Sequence, residues 1–201
     1  MSVEAKSLQD AIKERRSIRK VKKNERITKD KIENILKLSL HAPSAFNMQS
    51  GRMTVLLENH HEEFWDIVKE TLRPNIAAED FKPTEDKLQG FREGVGTILF
   101  FENQETVRHL EQQAPLYKQH FANWSEQGSG ILQYAVWLSF AAEGIGASLQ
   151  HYNPLIDEEV KRKWDIPNDW SLVAQMPFGE PDEQPGERSF LPFDDIVKWH
   201  D

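Results

Sequence analysis

Residues 128–146, GSGILQYAVWLSFAAEGIG, decide how the rest of the chain must be arranged. At 3.6 residues per turn, Ile131, Leu132, Ala135, Val136, Leu138, Phe140 and Ala142 surround a helix almost completely. A helix that is apolar nearly all round has to be covered on every side. Gln133 and Glu143 interrupt the run, so it reads as a buried helix and not as a membrane span. In a chain of 201 residues, a subunit interface is a natural way to complete that cover.

Outward from this helix, residues 170–178 alternate Trp170, Leu172, Ala174, Met176 and Phe178 with Ser171, Val173 and Gln175, the period of a strand. Residues 96–102, GTILFFE, are apolar on both faces and predict a central strand. A strand is also expected over 52–58 and a short one over 147–151. Helices are predicted over 2–15 (Leu8, Ala11 and Ile12 on one face) and from an N-cap at Thr28 to His41. Further helices are predicted over 61–72, around 105–121 and over 157–164. Pro43 disfavours helical geometry at Ala42, so a loop follows the second helix. Residues 75–90 are polar and poorly patterned. His60–His61 with Glu62–Glu63 reads as a solvated helix start, because adjacent helical residues point apart and make a poor metal site. The Pro-rich segment 180–201 has no pattern for self-burial, yet it carries Phe190, Leu191, Phe193, Ile196, Val197 and Trp199. It is expected to extend as a tail that packs on a partner subunit.

No repeat, linker or low-complexity tract divides the chain, which predicts one domain over 1–201. Its class is α+β: a small sheet, not in strict βαβ alternation, flanked by long helices. No G-x-G-x-x-G follows a strand, so a Rossmann domain is not expected. An apolar content of 38% with 29% charged residues is that of a soluble globular protein, and six Trp argue against disorder. The absence of cysteine excludes disulfides, thiolate metal sites and cysteine nucleophiles. The polar opening with Glu4 and Lys6 predicts no hydrophobic leader, and a cytoplasmic location is expected.

A net charge of −8 argues against nucleic-acid binding, with one local exception. Between Lys13 and Arg26 stand eight basic residues against only Glu14 and Glu25. Such a patch suits a small anion, most simply a phosphate. Within it lies Arg15–Arg16–Ser17–Ile18–Arg19. If the chain is extended there, Arg15, Ser17 and Arg19 face one side and offer two guanidinium forks and a hydroxyl. Taken alone, such a run is more often a solvated basic turn. The loop Pro43–Ser44–Ala45–Phe46–Asn47–Met48–Gln49 concentrates donors and acceptors suited to the edge of a heterocycle, or serves only to end a helix. In Phe178–Gly179–Glu180–Pro181, Gly179 is expected to let the backbone turn sharply after the strand. Pro185 and Arg188 follow.

Together these three segments resemble the nitroreductase family of flavoproteins. RRSIR is similar to that family's R-x-S-x-R/K, PSAFNMQ to its P-S-x-x-N-x-Q/P, and FGEPDEQPGER to its G-x-P-x-x-x-P-x-x-K/R. The order and approximate spacing agree along nearly the whole chain. The resemblance implies the nitroreductase-like fold as an intertwined homodimer, with FMN where the subunits meet, NADH or NADPH as electron donor and a small-molecule acceptor. By position, Arg15, Ser17 and Arg19, with Arg16 beside them, would contact the phosphate, ribityl chain and pyrimidine edge. Pro43, Ser44, Asn47 and Gln49 would reach across from the partner, and Arg188 would close on the phosphate. Lys87 is the candidate for the flavin's polar edge.

Where many relatives carry a small or Trp-Ile-Gly segment, this chain has Leu149–Gln150–His151–Tyr152, which would lie near the flavin ring. In this it resembles the branch loosely called hydroxylamine-reductase-like or fatty-acid-repression-mutant-like. His151 is the titratable group nearest the ring by that alignment, or else a structural histidine at a strand end. The chemistry needs no side-chain acid or base, so no catalytic residue and no metal ligand is assigned. The rival functions are a flavin-binding regulatory protein with little turnover and a non-enzymatic module that holds an anionic metabolite.

Overall fold

A computed structural model describes residues 5–200. Its centre is strand β3 (Gly96–Asn103), paired antiparallel with β5 (Trp170–Pro181) on one side and β2 (Gly51–Leu57) on the other. β1 (Val21–Lys22) and β4 (Gly146–Ala147) both join β5, giving the sheet order β1-β5-β3-β2 with β4 beside β5. Side chains alternate across the pleat, so β3 feeds two cores. Ile98 and Phe100 turn to a layer made by Ile32 and Ile35 of α2 (Lys29–Ser39) and by Val136 and Phe140 of α6 (Phe121–Ala142). Leu99 and Phe101 turn to the opposite layer. There Phe64, Trp65 and Val68 of α3 (Glu58–Leu72) meet Leu88 and Phe91 of α4 (Lys82–Arg92). Val160 of α7 (Asp157–Lys163) completes that side. The four central β3 side chains are essentially inaccessible, and each buried side chain of this size contributes about 1.5–3 kcal/mol. The α+β class and the central strand are as the sequence predicts.

The differences have identifiable causes. Helix α1 spans Leu8–Glu14, shorter than the expected 2–15, because Ser7 caps it by accepting from the Asp10 N–H; residues 2–4 lie outside the described part. α4 occupies most of the stretch that looked unpatterned. Leu88 and Phe91 are its only large buried side chains, too sparse a signal to read, and Pro83 sits harmlessly in its first turn. α6 begins seven residues before Gly128, since glycine inside a helix lowers its propensity by only about 1 kcal/mol. It ends at Gly144 (φ 72°), whose left-handed backbone lets Ile145 N–H return to the Phe140 carbonyl at 2.9 Å. α3 starts directly from β2 at Glu58, and the expected strand 147–151 shrinks to β4 plus one bridge between Gln150 and Gln175. α5 (Gln104–Gln113) follows β3, and the tail holds a single turn, α8 (Phe193–Ile196).

His61 is also not solvated. It is fully buried, with Nδ1 2.9 Å from the Thr97 hydroxyl, which accepts from the Trp65 indole N–H at 3.0 Å. The buried ring is held neutral. Desolvation lowers the His61 pKa from 6.5 to about 4, against smaller opposing effects from the Arg92 backbone and Glu62. A histidine harder to protonate when folded leaves stability intact above pH 6.5 and withdraws it as pH falls through 6.5 towards 4. Urea unfolding should show the stability advantage of the parent over His61→Gln shrinking across that window, by up to about 3 kcal/mol. A pH-independent difference would contradict this.

Candidate functional site

The basic segment leaves α1 at Arg15, where the backbone turns extended. Ile18 goes inward, its N–H bonded to the Ala147 carbonyl at 3.0 Å, so Ser17 and Arg19 on either side face outward. Ser17 also bridges Ala147 in parallel register. Glu183 of the tail accepts from the backbone N–H groups of Arg19 and Lys20, and Asp182 N–H bonds the Lys20 carbonyl at 2.9 Å. The segment is thus bound to a sheet edge and is not a solvated turn.

Its charges divide into two sets. Lys22 pairs with Asp182 and Glu180, and Lys23 with Glu62. Among the described residues, no carboxylate lies within ion-pair distance of Arg15, Arg16, Arg19, Lys87 or Arg188. Arg15 has a buried guanidinium nitrogen without a hydrogen-bond partner. Burial lowers its pKa, and the neighbouring Arg188 and Arg16 charges lower it further. Arg188, whose guanidinium stacks on Phe190 at 4.7 Å, is therefore brought towards Arg15 from the tail. α4 packs on the segment at Gly90, next to the Arg19 carbonyl, and this brings Lys87 towards Arg19. Desolvation and then the Arg19 charge lower the Lys87 pKa. The Lys87 ammonium lies 5.5 Å from the Tyr152 ring, whose buried, unpartnered hydroxyl is pushed up to about 12 by desolvation. Two small clusters result, Arg15–Arg188 and Arg19–Lys87, at the two ends of one extended segment.

The loop after α2 forms a separate wall. Phe46, Asn47 and Gln49 all adopt left-handed backbone (φ 54°, 51° and 46°), a conformation costing about 1–3 kcal/mol for a non-glycine residue. Ser44 holds the loop in that shape: its hydroxyl oxygen accepts from Gln49 N–H at 3.0 Å and its carbonyl from Asn47 N–H at 2.9 Å. Met48 is buried below, while Pro43, Asn47 and Gln49 remain exposed. Phe46 lies above Trp124 (5.9 Å) and beside Tyr117 (5.6 Å), an aromatic surface still open to solvent. One chain does not join this wall to the basic segment. Ser44 rests against Gly128 and Arg15 against Trp137, nine residues or about 14 Å apart along α6.

Three expectations need correction or refinement. Gly179 does not mark a turn, because β5 continues to Pro181 and pairs with β1. A Cβ there would stand 2.7 Å from the Lys22 carbonyl oxygen, so glycine is needed for close approach of the strands. The Gln150 side chain is buried and donates to the Ser148 hydroxyl at 3.1 Å, and its backbone N–H and carbonyl are both bonded to Gln175, at 2.7 and 2.9 Å. Leu149 is half-buried against the core and His151 is exposed. Glu183 and Trp137 contact the basic segment without having been singled out; one looks like any tail acid, the other like any apolar helix position.

The Nitroreductase family model matches residues 12–180. HBN1 of Saccharomyces cerevisiae is 29% identical over 166 residues, 82% of each chain. Nitroreductase CinD from Lactococcus lactis, solved in complex with chloramphenicol and with 4-nitrophenol, is 37–38% identical, with a TM-score of 0.88 over 97% of this chain and 100% of its own. A protein from Exiguobacterium sibiricum solved in complex with FMN shares the fold at 18% identity, with a TM-score of 0.75 over the whole of both chains.

Because Gly179 admits β1 to β5, Gly179→Ala should destabilise the fold by about 1–3 kcal/mol in urea unfolding. Unchanged stability would show that the strands can part at no cost.

Proposed function

The chain belongs to the Nitroreductase family, and from that premise we propose that it is an FMN-dependent NAD(P)H oxidoreductase acting on nitroaromatic, quinone or related small acceptors. The observation that carries this reading is the set of cations without acidic partners, with a buried nitrogen of Arg15 unsatisfied. A buried charge left unpaired is costly, and a bound anion removes that cost. The residues fit FMN: Arg15 and Arg188 for its phosphate, Ser17 for the ribityl chain, and Arg19 with Lys87 for the pyrimidine edge. Bound FMN supplies hydride acceptance from NADH or NADPH and delivery to the acceptor in ping-pong order. The protein's part is to bind and orient. Arg19 and Lys87 are fixed cations placed where negative charge develops on reduction. No side chain acts as acid or base. The exposed Phe46–Trp124–Tyr117 surface suits flat acceptors, in keeping with the aromatic ligands named for CinD.

The working form in this reading is a homodimer, one domain per chain with residues 180–201 packed on the partner. Support comes from apolar surface left open in one protomer: Ile131 and Tyr134 on α6, and a groove between α2 and the edge strand β2 lined by Leu36, Leu40, Val55 and Leu57. The tail side chains Phe190, Leu191, Phe193, Ile196 and Trp199 are exposed as well. Ser44, Asn47 and Gln49 would then enter the flavin site from the partner, which accounts for the separation of the two walls.

Native protein should be yellow and release FMN, and it should oxidise NADH or NADPH steadily with a nitroaromatic or quinone acceptor. Bound FMN without turnover would favour a regulatory flavoprotein, and a colourless protein that takes up no flavin would favour an anion-binding module. Arg15→Ala and Arg19→Ala should each weaken FMN about ten- to a hundredfold. Only Arg19→Ala should lower the flavin potential, since reduced flavin loses its compensating cation. Sedimentation should give a dimer; a flavin-loaded, active monomer would overturn that part of the reading.

A further inference from the structure

Trp137 stands at the end of α6 nearest the basic segment, and its indole does two things at once. The guanidinium carbon of Arg15 lies 4.1 Å from the ring centroid, within the range of a cation–π contact. The indole N–H donates to the Ala147 carbonyl oxygen at 3.1 Å, and that same oxygen accepts from Ile18 N–H at 3.0 Å. One carbonyl therefore ties the indole, strand β4 and the basic segment into a single unit.

The chemistry of the partner matters as much as its position. Arg15 sits near Arg188 and Arg16, and like charges tend to drive its side chain out to water. An acid would hold it, but would also neutralise the charge and fill the hydrogen-bonding edge that an anion requires. An aromatic face holds a guanidinium by its flat side and leaves both the charge and the N–H edge free. The partnerless, buried nitrogen of Arg15 is what such an arrangement leaves over.

We infer that Trp137 is a positioning residue for the phosphate end of the flavin, holding the Arg15 guanidinium in place over its ring for the incoming anion. This rests on the reading of the segment as an FMN site and goes beyond it, because Trp137 acts through Arg15. Preorganising a long side chain before binding removes the ordering cost from the binding step.

The test compares FMN with riboflavin, which lacks the phosphate, by titrating each into the apoprotein. Trp137→Leu should weaken FMN by roughly two- to thirtyfold, the range of one cation–π contact, and leave riboflavin unchanged. In an Arg15→Ala background the same substitution should cause no further loss of FMN affinity. Trp137→Phe keeps an aromatic face but not the bond to Ala147, and should lose a smaller part of the preference for FMN. If Trp137→Leu does not fold, Trp137→Phe and Trp137→Met carry the same two comparisons. Equal losses for FMN and riboflavin, a loss that persists without Arg15, or an unchanged FMN-to-riboflavin ratio in every variant would each overturn the inference. Should the parent bind neither flavin, the reading of the site fails first, and that outcome is distinct from a parent that prefers FMN whatever stands at 137.

Discussion

β3 is buried on both faces, and most of the architecture follows from that. A strand with Ile98 and Phe100 on one side and Leu99 and Phe101 on the other requires two apolar layers, each supplied by different helices. α2 and α6 answer the first demand and α3, α4 and α7 the second. Because β5 is the partner of β3, β1 and β4, whatever is attached to its far edge is placed relative to both cores. The basic segment is attached there through β1, through the Ile18–Ala147 bond and through Glu183. The rigidity of the candidate site is borrowed from the strand that the cores hold most firmly.

Against this well-packed frame, the site concentrates what a fold minimising its free energy would avoid. Three of the four successive loop residues 46–49 are left-handed without being glycine, and a guanidinium nitrogen of Arg15 is buried without a partner. The strained loop and the unsatisfied guanidinium nitrogen together argue for retention for a ligand, since stability alone gives no reason for them.

Much of this was legible in the residues. Period-2 alternation marked β5, and the two-sided apolar run marked β3, because burial on both faces leaves no polar alternative. The motifs around Arg15, Ser44 and Gly179 marked the segments proposed to form the site, although the physical role of Gly179 was misjudged: a glycine required for close approach looks identical in sequence to one required for a turn. α4 was illegible, since Leu88 and Phe91 alone do not make a period. His61 was illegible for a different reason. Its burial depends on Thr97 and Trp65, one 36 residues away, and no local pattern reports a tertiary hydrogen bond. Trp137 was not singled out, because a sequence shows hydrophobicity but not which face a cation will choose.

α6 links these matters. On one face of a 22-residue helix stand Trp124 and Gly128 against the strained loop, and on the opposite face stands Trp137 against Arg15. On its open side stand Ile131 and Tyr134, the apolar surface assigned above to the partner. If α6 carries the interface and contacts both halves of the ligand site, as proposed above, it cannot shift at one without shifting at the others. In the proposed dimer each site takes its basic wall from one α6 and its loop wall from the other, so the distance between walls is set by how the two helices cross. Anything that binds only the assembled site then stabilises the assembly by mass action. On this geometry flavin affinity and subunit affinity are two measures of one packing, which makes the crossing of the helices, more than any single contact to the ligand, the quantity that natural variation in this site has to respect.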